Sequence, residues 1–117
     1  MDKVTLNFIT EKTHELMSAY SCCPEAKAAA QAWLDAAGTP DEAEQTKKYF
    51  AELREDITPI DGLIAFTGSE AGAKAFGAEN AAKMNAHAKE IKAAGAKYCD
   101  CPACAAAEAI LSKESEL

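Results

Sequence analysis

The 117-residue sequence contains few of the residues that build β-sheets. Val4 is its one valine, and isoleucine and threonine are sparse beside 27 alanines. Alanine has the highest intrinsic helix propensity, whereas strands favour β-branched and aromatic residues. Only 25 residues are large and apolar, and eight of these are aromatic. The composition therefore excludes a sheet protein and predicts a helical protein with a thin, closely packed core.

Basic residues are also scarce. The chain has 12 Lys and Arg against 19 Asp and Glu, which gives a formal net charge of −7 and a pI near 4.8. A protein that binds the phosphate backbone of a nucleic acid needs a basic face, and none is visible here. We therefore expect no nucleic-acid binding.

Long apolar runs are absent, because Lys, Glu or Asp interrupts every helix candidate. A membrane span needs about 20 consecutive apolar residues, so we expect no membrane insertion. The first residues lack a basic segment followed by an apolar one, so we expect no secretory signal and a cytoplasmic location. In that reducing compartment, grouped cysteines bind metal or take part in redox chemistry more often than they form structural disulfides.

Several catalytic and cofactor motifs are missing as well. The chain has neither a Gly-x-x-x-x-Gly-Lys-Ser/Thr phosphate loop nor a Gly-x-Ser-x-Gly elbow. Glu11 and His14 have the spacing of di-iron ligands, but Met84 stands three residues before His87, so the second copy of the motif is lacking. We expect His87 to be a hydrogen-bonded core histidine. The sequence thus names no catalytic residue, no cofactor-binding residue and no substrate.

Apolar residues recur at helical spacing through most of the chain. We expect helices over residues 3–20, 24–37, 40–57, 78–94 and 102–112, with two short helices within 59–76. Neither an internal repeat nor a low-complexity linker divides the sequence. The predicted fold is an all-α antiparallel bundle of about five to six helices, several of them short, in a single domain of residues 1–117.

The third predicted helix has a strong start signal. Thr39, Pro40 and Glu42 stand where a capping box places its N-cap, its first and its third helical residue. In that arrangement two side chains accept hydrogen bonds from backbone N–H groups that the helix leaves without partners. We therefore expect this helix to begin at Pro40.

All five cysteines fall in or beside predicted turns between helices: Cys22, Cys23, Cys99, Cys101 and Cys104. Cys23 and Cys101 directly precede prolines, and a proline at the first helical position makes the preceding residue the N-cap. Free N–H groups and the positive end of the helix dipole favour a thiolate there. Cys104 lies in the first turn of the last helix, where the same helix dipole acts on its thiol.

The two groups of cysteines come together if every predicted turn reverses the chain, because the first and fifth turns then fall at one end of the bundle. If Pro59 only kinks a helix, they fall at opposite ends. Tetrahedral zinc takes four thiolates at about 2.3 Å. The predicted site is a structural zinc ion held by Cys99, Cys101 and Cys104 with either Cys22 or Cys23.

Two other functions stay open. The CxxC spacing of Cys101 and Cys104 at a helix start also suits a redox-responsive thiol protein. Since CxCxxC departs from the CxxCxxC run of ferredoxins, an iron–sulfur cluster is disfavoured. The third function is a plain interaction module without chemistry, which would bind a protein partner or a second copy of the chain.

Three segments carry a resemblance to a known group of sequences. They are SCCPEAKAAAQAWLDAAGT at 21–39, TPIDGLIAF at 58–66 and AHAKEIKAAGAKYCDCPACAAAEAIL at 86–111. The chain resembles short uncharacterised bacterial proteins that are all-helical and carry CxCxxC, some of them labelled as related to the ninety-kilodalton heat-shock chaperone. It is also similar to redox-regulated zinc chaperones, although their CxC and CxxC pairs are separate and here share Cys101. These resemblances imply a stress or chaperone-like role for the thiols.

Overall fold

The computed structural model describes residues 1–116 and confirms the all-α class. This part of the chain contains seven α-helices and a short 3₁₀ helix, Glu114–Glu116, and it contains no strand. The α-helices are α1 Lys3–Ser18, α2 Pro24–Ala36, α3 Glu42–Asp56, α4 Ile60–Thr67, α5 Glu70–Phe76, α6 Ala78–Ala93 and α7 Pro102–Leu111. The expected total of five to six helices is slightly too low, whereas the two short helices expected within residues 59–76 are present: Gly68 ends α4 and the Ser69 side chain caps α5.

The helices form two compact units. The first unit contains Met1–Ile57 and the chain from Asp100 onward, and the second contains Thr58–Cys99. In the first unit α1 packs on α7 and α2 packs on α3, and in the second α6 packs on both α4 and α5. Whether the chain folds as a single domain stays a prediction.

The first unit has a core of large side chains joined by buried polar bonds. Trp33, Tyr49 and Phe50 are at most 2% exposed. The Trp33 indole N–H donates to Thr46 Oγ1 over 2.9 Å, and the Thr13 and Tyr49 hydroxyls share a hydrogen bond of 2.9 Å. The polar atoms of these four side chains therefore have partners, which avoids the cost of leaving them unpaired in the core.

The second unit has smaller buried side chains than the first. Ile60, Thr67, Gly72, Ala81 and Ala88 are its buried helical residues. The Asn85 amide, on α6, donates to Ile64 O over 2.8 Å and to Thr67 Oγ1 over 3.2 Å. The Ile64 carbonyl oxygen also accepts from Gly68 N–H over 3.1 Å, so Asn85 adds a second donor there and links α6 to the end of α4.

Two local expectations were wrong. The third helix begins at Glu42 rather than at Pro40, because Thr39 forms a turn in which its carbonyl accepts from Glu42 N–H at 3.2 Å. The Glu42 carboxylate accepts from Gly38 N–H at 3.1 Å, one residue before the expected cap. The first helix ends at Ser18 rather than at Tyr20, which lies beyond the helix and is 88% exposed.

None of the helices in residues 1–116 is both long enough and apolar enough to cross a membrane.

At Gly72 the backbone of α5 lies close to the end of α4. A Cβ at this position would lie 2.1 Å from the Phe66 carbonyl oxygen, which belongs to backbone and cannot rotate away. We expect Gly72→Ala to lower the free energy of unfolding by about 2 kcal/mol or more. Urea denaturation followed by circular dichroism measures this change.

Gly62→Ala is the matched control, since a Cβ there meets only Pro59 Cδ, at 3.9 Å. Within α4 the added methyl group improves helix propensity, so this variant gains up to about 1 kcal/mol. Equal effects of the two substitutions would contradict the close approach at Gly72.

The buried Tyr49 hydroxyl makes the protein sensitive to alkali. Burial raises the pKa of Tyr49 to about 12, although the hydrogen bond with Thr13 opposes the shift. The unfolded chain loses this proton near pH 10, so stability is complete below that value and falls as the pH rises towards 12. The loss approaches about 3 kcal/mol. Denaturation of wild type and Tyr49→Phe across this pH range isolates the contribution, which the variant should lack.

Candidate metal centre

The first turn of α7 is built around Cys101. This residue is the N-cap, with φ −61° and ψ 158°, and Pro102 follows at the first helical position. Its Sγ accepts a hydrogen bond from Cys104 N–H over 3.4 Å. The expected cap is therefore present, and it fixes the sulfur beside the positive end of the helix dipole.

Cys99 is held by backbone pairing just before this cap. Its N–H donates to the Thr58 carbonyl oxygen over 2.9 Å, and the neighbouring Tyr98 forms an isolated antiparallel bridge with Pro59. Ile60 N–H completes the pairing by donating to Lys97 O over 2.9 Å. These hydrogen bonds hold the backbone of residues 97–99 in place, just before α7 begins.

The structure brings the sulfurs of Cys99, Cys101 and Cys104 together. All three lie within 4.8 Å of one another, with Cys104 buried and the other two half-buried. In a tetrahedral zinc site with bonds of about 2.3 Å, neighbouring sulfurs stand about 3.8 Å apart. A shift of at most about 1 Å would bring the sulfurs to that separation, so the CxCxxC segment could hold a metal ion on three thiolates.

The turn that carries Cys22 and Cys23 lies against the first turn of α7. The Ser21 hydroxyl oxygen accepts from Ala103 N–H over 3.3 Å, which joins two residues 82 positions apart in the chain. Both cysteines are half-buried, and the Cys22 thiol donates to Cys23 O over 3.5 Å. Neither sulfur belongs to the group that lies within 4.8 Å in the described part of the chain.

The surroundings of both thiols raise their pKa and so favour the protonated form. Burial raises the pKa of Cys22, and Cys23 and Asp56 raise it further, while Lys27 opposes the shift. Burial also raises the pKa of Cys23, with the Ala26 N–H opposing and Asp56 adding to the shift. The expectation of a thiolate at Cys23 is thus wrong, because burial and the adjacent carboxylate outweigh the field of the helix N-terminus.

The histidines lie outside the cysteine cluster. His14 and His87 are exposed, whereas Ala81 and Ala88 form the buried face of α6. The prediction of a core histidine at His87 is wrong because His87 lies just outside this buried face.

Sequence reasoning missed the residues that support the cysteines. Ser21 and Thr58 act through a hydroxyl and a carbonyl oxygen, and neither belongs to a recognisable motif. Ser21 directly precedes the two cysteines, which is the one available signal. Asp56 approaches them from the end of α3, at a sequence separation that no local pattern reveals.

The two roles of Cys101 can be separated by substitution. Serine is a better N-cap than cysteine but a poor ligand for soft metals, whereas alanine serves neither role. In the presence of a chelator, we expect Cys101→Ser to keep the stability of the metal-free protein and Cys101→Ala to lower it by about 1 kcal/mol. Urea denaturation checks this order, and equal stabilities would show that residue 101 does not cap α7.

Comparison with known proteins finds no relative: no family model, no curated protein and no solved structure matches the chain. The candidate site is therefore defined by its own residues. These are three cysteine sulfurs at the start of α7, with a second pair of thiols in the turn that Ser21 joins to the same helix.

Proposed function

We propose that this is a cytoplasmic helical protein that binds one structural zinc ion through Cys99, Cys101, Cys104 and either Cys22 or Cys23. The observation that carries the proposal is the approach of three sulfurs to within 4.8 Å in one short segment. Three thiols at this separation repel one another once ionised, and a divalent cation turns that repulsion into attraction.

Zinc suits this set of ligands better than hard cations do. Thiolates are soft ligands, whereas magnesium and calcium prefer oxygen. The dipole of α7 and the Cys104 N–H both favour negative charge on the Cys101 sulfur, which suits a sulfur that binds a cation. A chain of net charge −7 also attracts divalent cations.

The fourth ligand is supplied by the turn between α1 and α2. The Ser21–Ala103 hydrogen bond supports this choice, because Cys22 and Cys23 follow Ser21 directly. Zinc displaces the proton of whichever thiol it binds, which overcomes the raised pKa of that cysteine. Four thiolates leave no position for water, so the ion joins α7 to the α1–α2 turn and performs no catalysis.

The test is elemental analysis of protein purified without a metal-affinity step. We expect about one zinc per chain, and a loss of most of it in Cys99→Ser, Cys101→Ser and Cys104→Ser. Of Cys22→Ser and Cys23→Ser, one should lose zinc and the other should retain it. The pair thereby supplies its own matched control.

A folded protein with no bound metal and five titratable thiols would contradict the proposal. Retention of zinc in all of Cys99→Ser, Cys101→Ser and Cys104→Ser would also contradict it. Circular dichroism of each variant in chelator shows that a lost ion does not reflect a lost fold.

The same cluster supports a second candidate function, reversible thiol oxidation linked to a stress or chaperone-like role. The CxxC pair at the start of α7 favours it, since Cys101 is a half-buried cap beside Cys104. Two thiols would form one disulfide and release two protons and two electrons to an oxidant such as peroxide. A metal-free protein whose disulfide forms reversibly between these cysteines would favour this candidate, and one with inert thiols would favour a plain interaction module.

A further inference from the structure

Two phenylalanines of the second unit are exposed and lie side by side. Phe66 belongs to the last turn of α4, and Phe76 ends α5. Their ring centroids are 5.9 Å apart, with the ring planes at 87°. Their exposed fractions are 42% and 41%, and no other large apolar side chain of residues 58–99 is exposed. Single exposed apolar residues are ordinary, but two aromatic rings in contact are typical of surfaces that bind a partner.

An open groove is lined by sequence neighbours of both phenylalanines. Its lining includes Thr67, directly after Phe66, and Ala73, one turn before Phe76. The groove has a volume of about 300 Å³ and is formed by the end of α4, by α5 and by the first half of α6. Four alanines leave room in it for a large side chain from outside: Ala73, Ala78, Ala81 and Ala82. The second unit thus carries both projecting rings and a groove that can receive a ring.

The second unit covers little apolar surface by itself. Residues 58–99 are close to the length of about 40 residues below which a domain usually needs disulfides, metals or oligomerisation for stability. Ile60 is the one large aliphatic side chain that is buried on its helices. A partner that covers the phenylalanine pair would therefore add apolar burial where the unit has least of it.

The distribution of charge indicates which partner suits this surface. Residues 58–99 contain five of the 12 basic residues and four of the 19 acidic ones, so the second unit is nearly neutral. The first unit contains the other seven basic and 15 acidic residues, and it repels a second copy of itself. Two copies of the chain can therefore meet through their second units without strong repulsion. A highly charged partner gains no attraction from a nearly neutral face, which favours a second copy.

We propose that the second unit forms the interface of a two-fold dimer of this chain, in which an exposed phenylalanine of each copy enters the alanine-lined groove of the other. In such an interface every contact occurs twice, so rings and groove on one unit complement themselves. The proposal goes beyond the proposed zinc ion and does not depend on it. Because the contact is small, we expect a dissociation constant of about 1–100 μM.

Analytical ultracentrifugation of the full chain, in a reducing buffer that prevents disulfides between copies, tests the proposal. Wild type should pass from monomer to dimer as its concentration rises through the micromolar range. Phe66→Ser and Phe76→Ser should raise the dissociation constant about tenfold or more for at least one of the two. Val4→Ser is the matched control, since Val4 is 80% exposed but belongs to the first unit, and it should associate as wild type does.

A second pair of variants tests the groove without changing either phenylalanine. Ala82→Leu fills the groove and should weaken the dimer about tenfold or more. Ala86→Leu adds the same side chain at an exposed position of α6 outside the groove lining, and it should leave the dimer intact.

A wild-type chain that stays monomeric up to about 300 μM would overturn the proposal. A dimer that both phenylalanine variants and Ala82→Leu leave intact would overturn it as well, because the copies would then meet elsewhere. Circular dichroism checks that each variant is folded. Zinc content, which should be equal in wild type and in Ala82→Leu, separates the loss of the dimer from the loss of the proposed metal site.

Discussion

The first turn of α7 is the constraint on which the candidate site depends. Pro102 sets the backbone of that turn, and the Cys101 sulfur caps it. The Ser21 hydroxyl oxygen accepts a hydrogen bond from its Ala103 N–H. Local sequence supplies the first two contacts, but the third comes from Ser21, far away in the chain. The thiols of the CxCxxC segment are thus positioned by a helix start that tertiary structure holds in place.

Buried alanines determine how the helices of the first unit pack. Ala26 and Ala30 are buried on α2, and Ala103, Ala106 and Ala107 are buried on α7. Small side chains let neighbouring helices approach closely, so the few large residues such as Trp33 and Phe50 suffice to fill the remaining volume. A thin core is therefore compatible with well-packed helices.

Sequence periodicity predicted the helical class and most helix limits, since proline and glycine mark them by local rules. The predictions from periodicity were wrong where tertiary contacts determine the local structure. Glu42 reaches Gly38 instead of closing the expected capping box, and Tyr20 follows the end of α1 into solvent. The CxCxxC cluster was predictable because its spacing is local. The raised pKa of Cys23 was not, since it comes first from burial by tertiary contacts and then from Asp56 on another helix.

The contrast between the two units extends to their motions. The first buries Trp33, Tyr49 and Phe50, whereas the second buries a single large aliphatic side chain among its helical residues, Ile60. Local opening costs less where less apolar surface is covered. Amide hydrogens of α4, α5 and α6 should therefore exchange with solvent through local unfolding in which α1, α2 and α3 stay folded. The two units of the chain would then differ in their protection from hydrogen exchange.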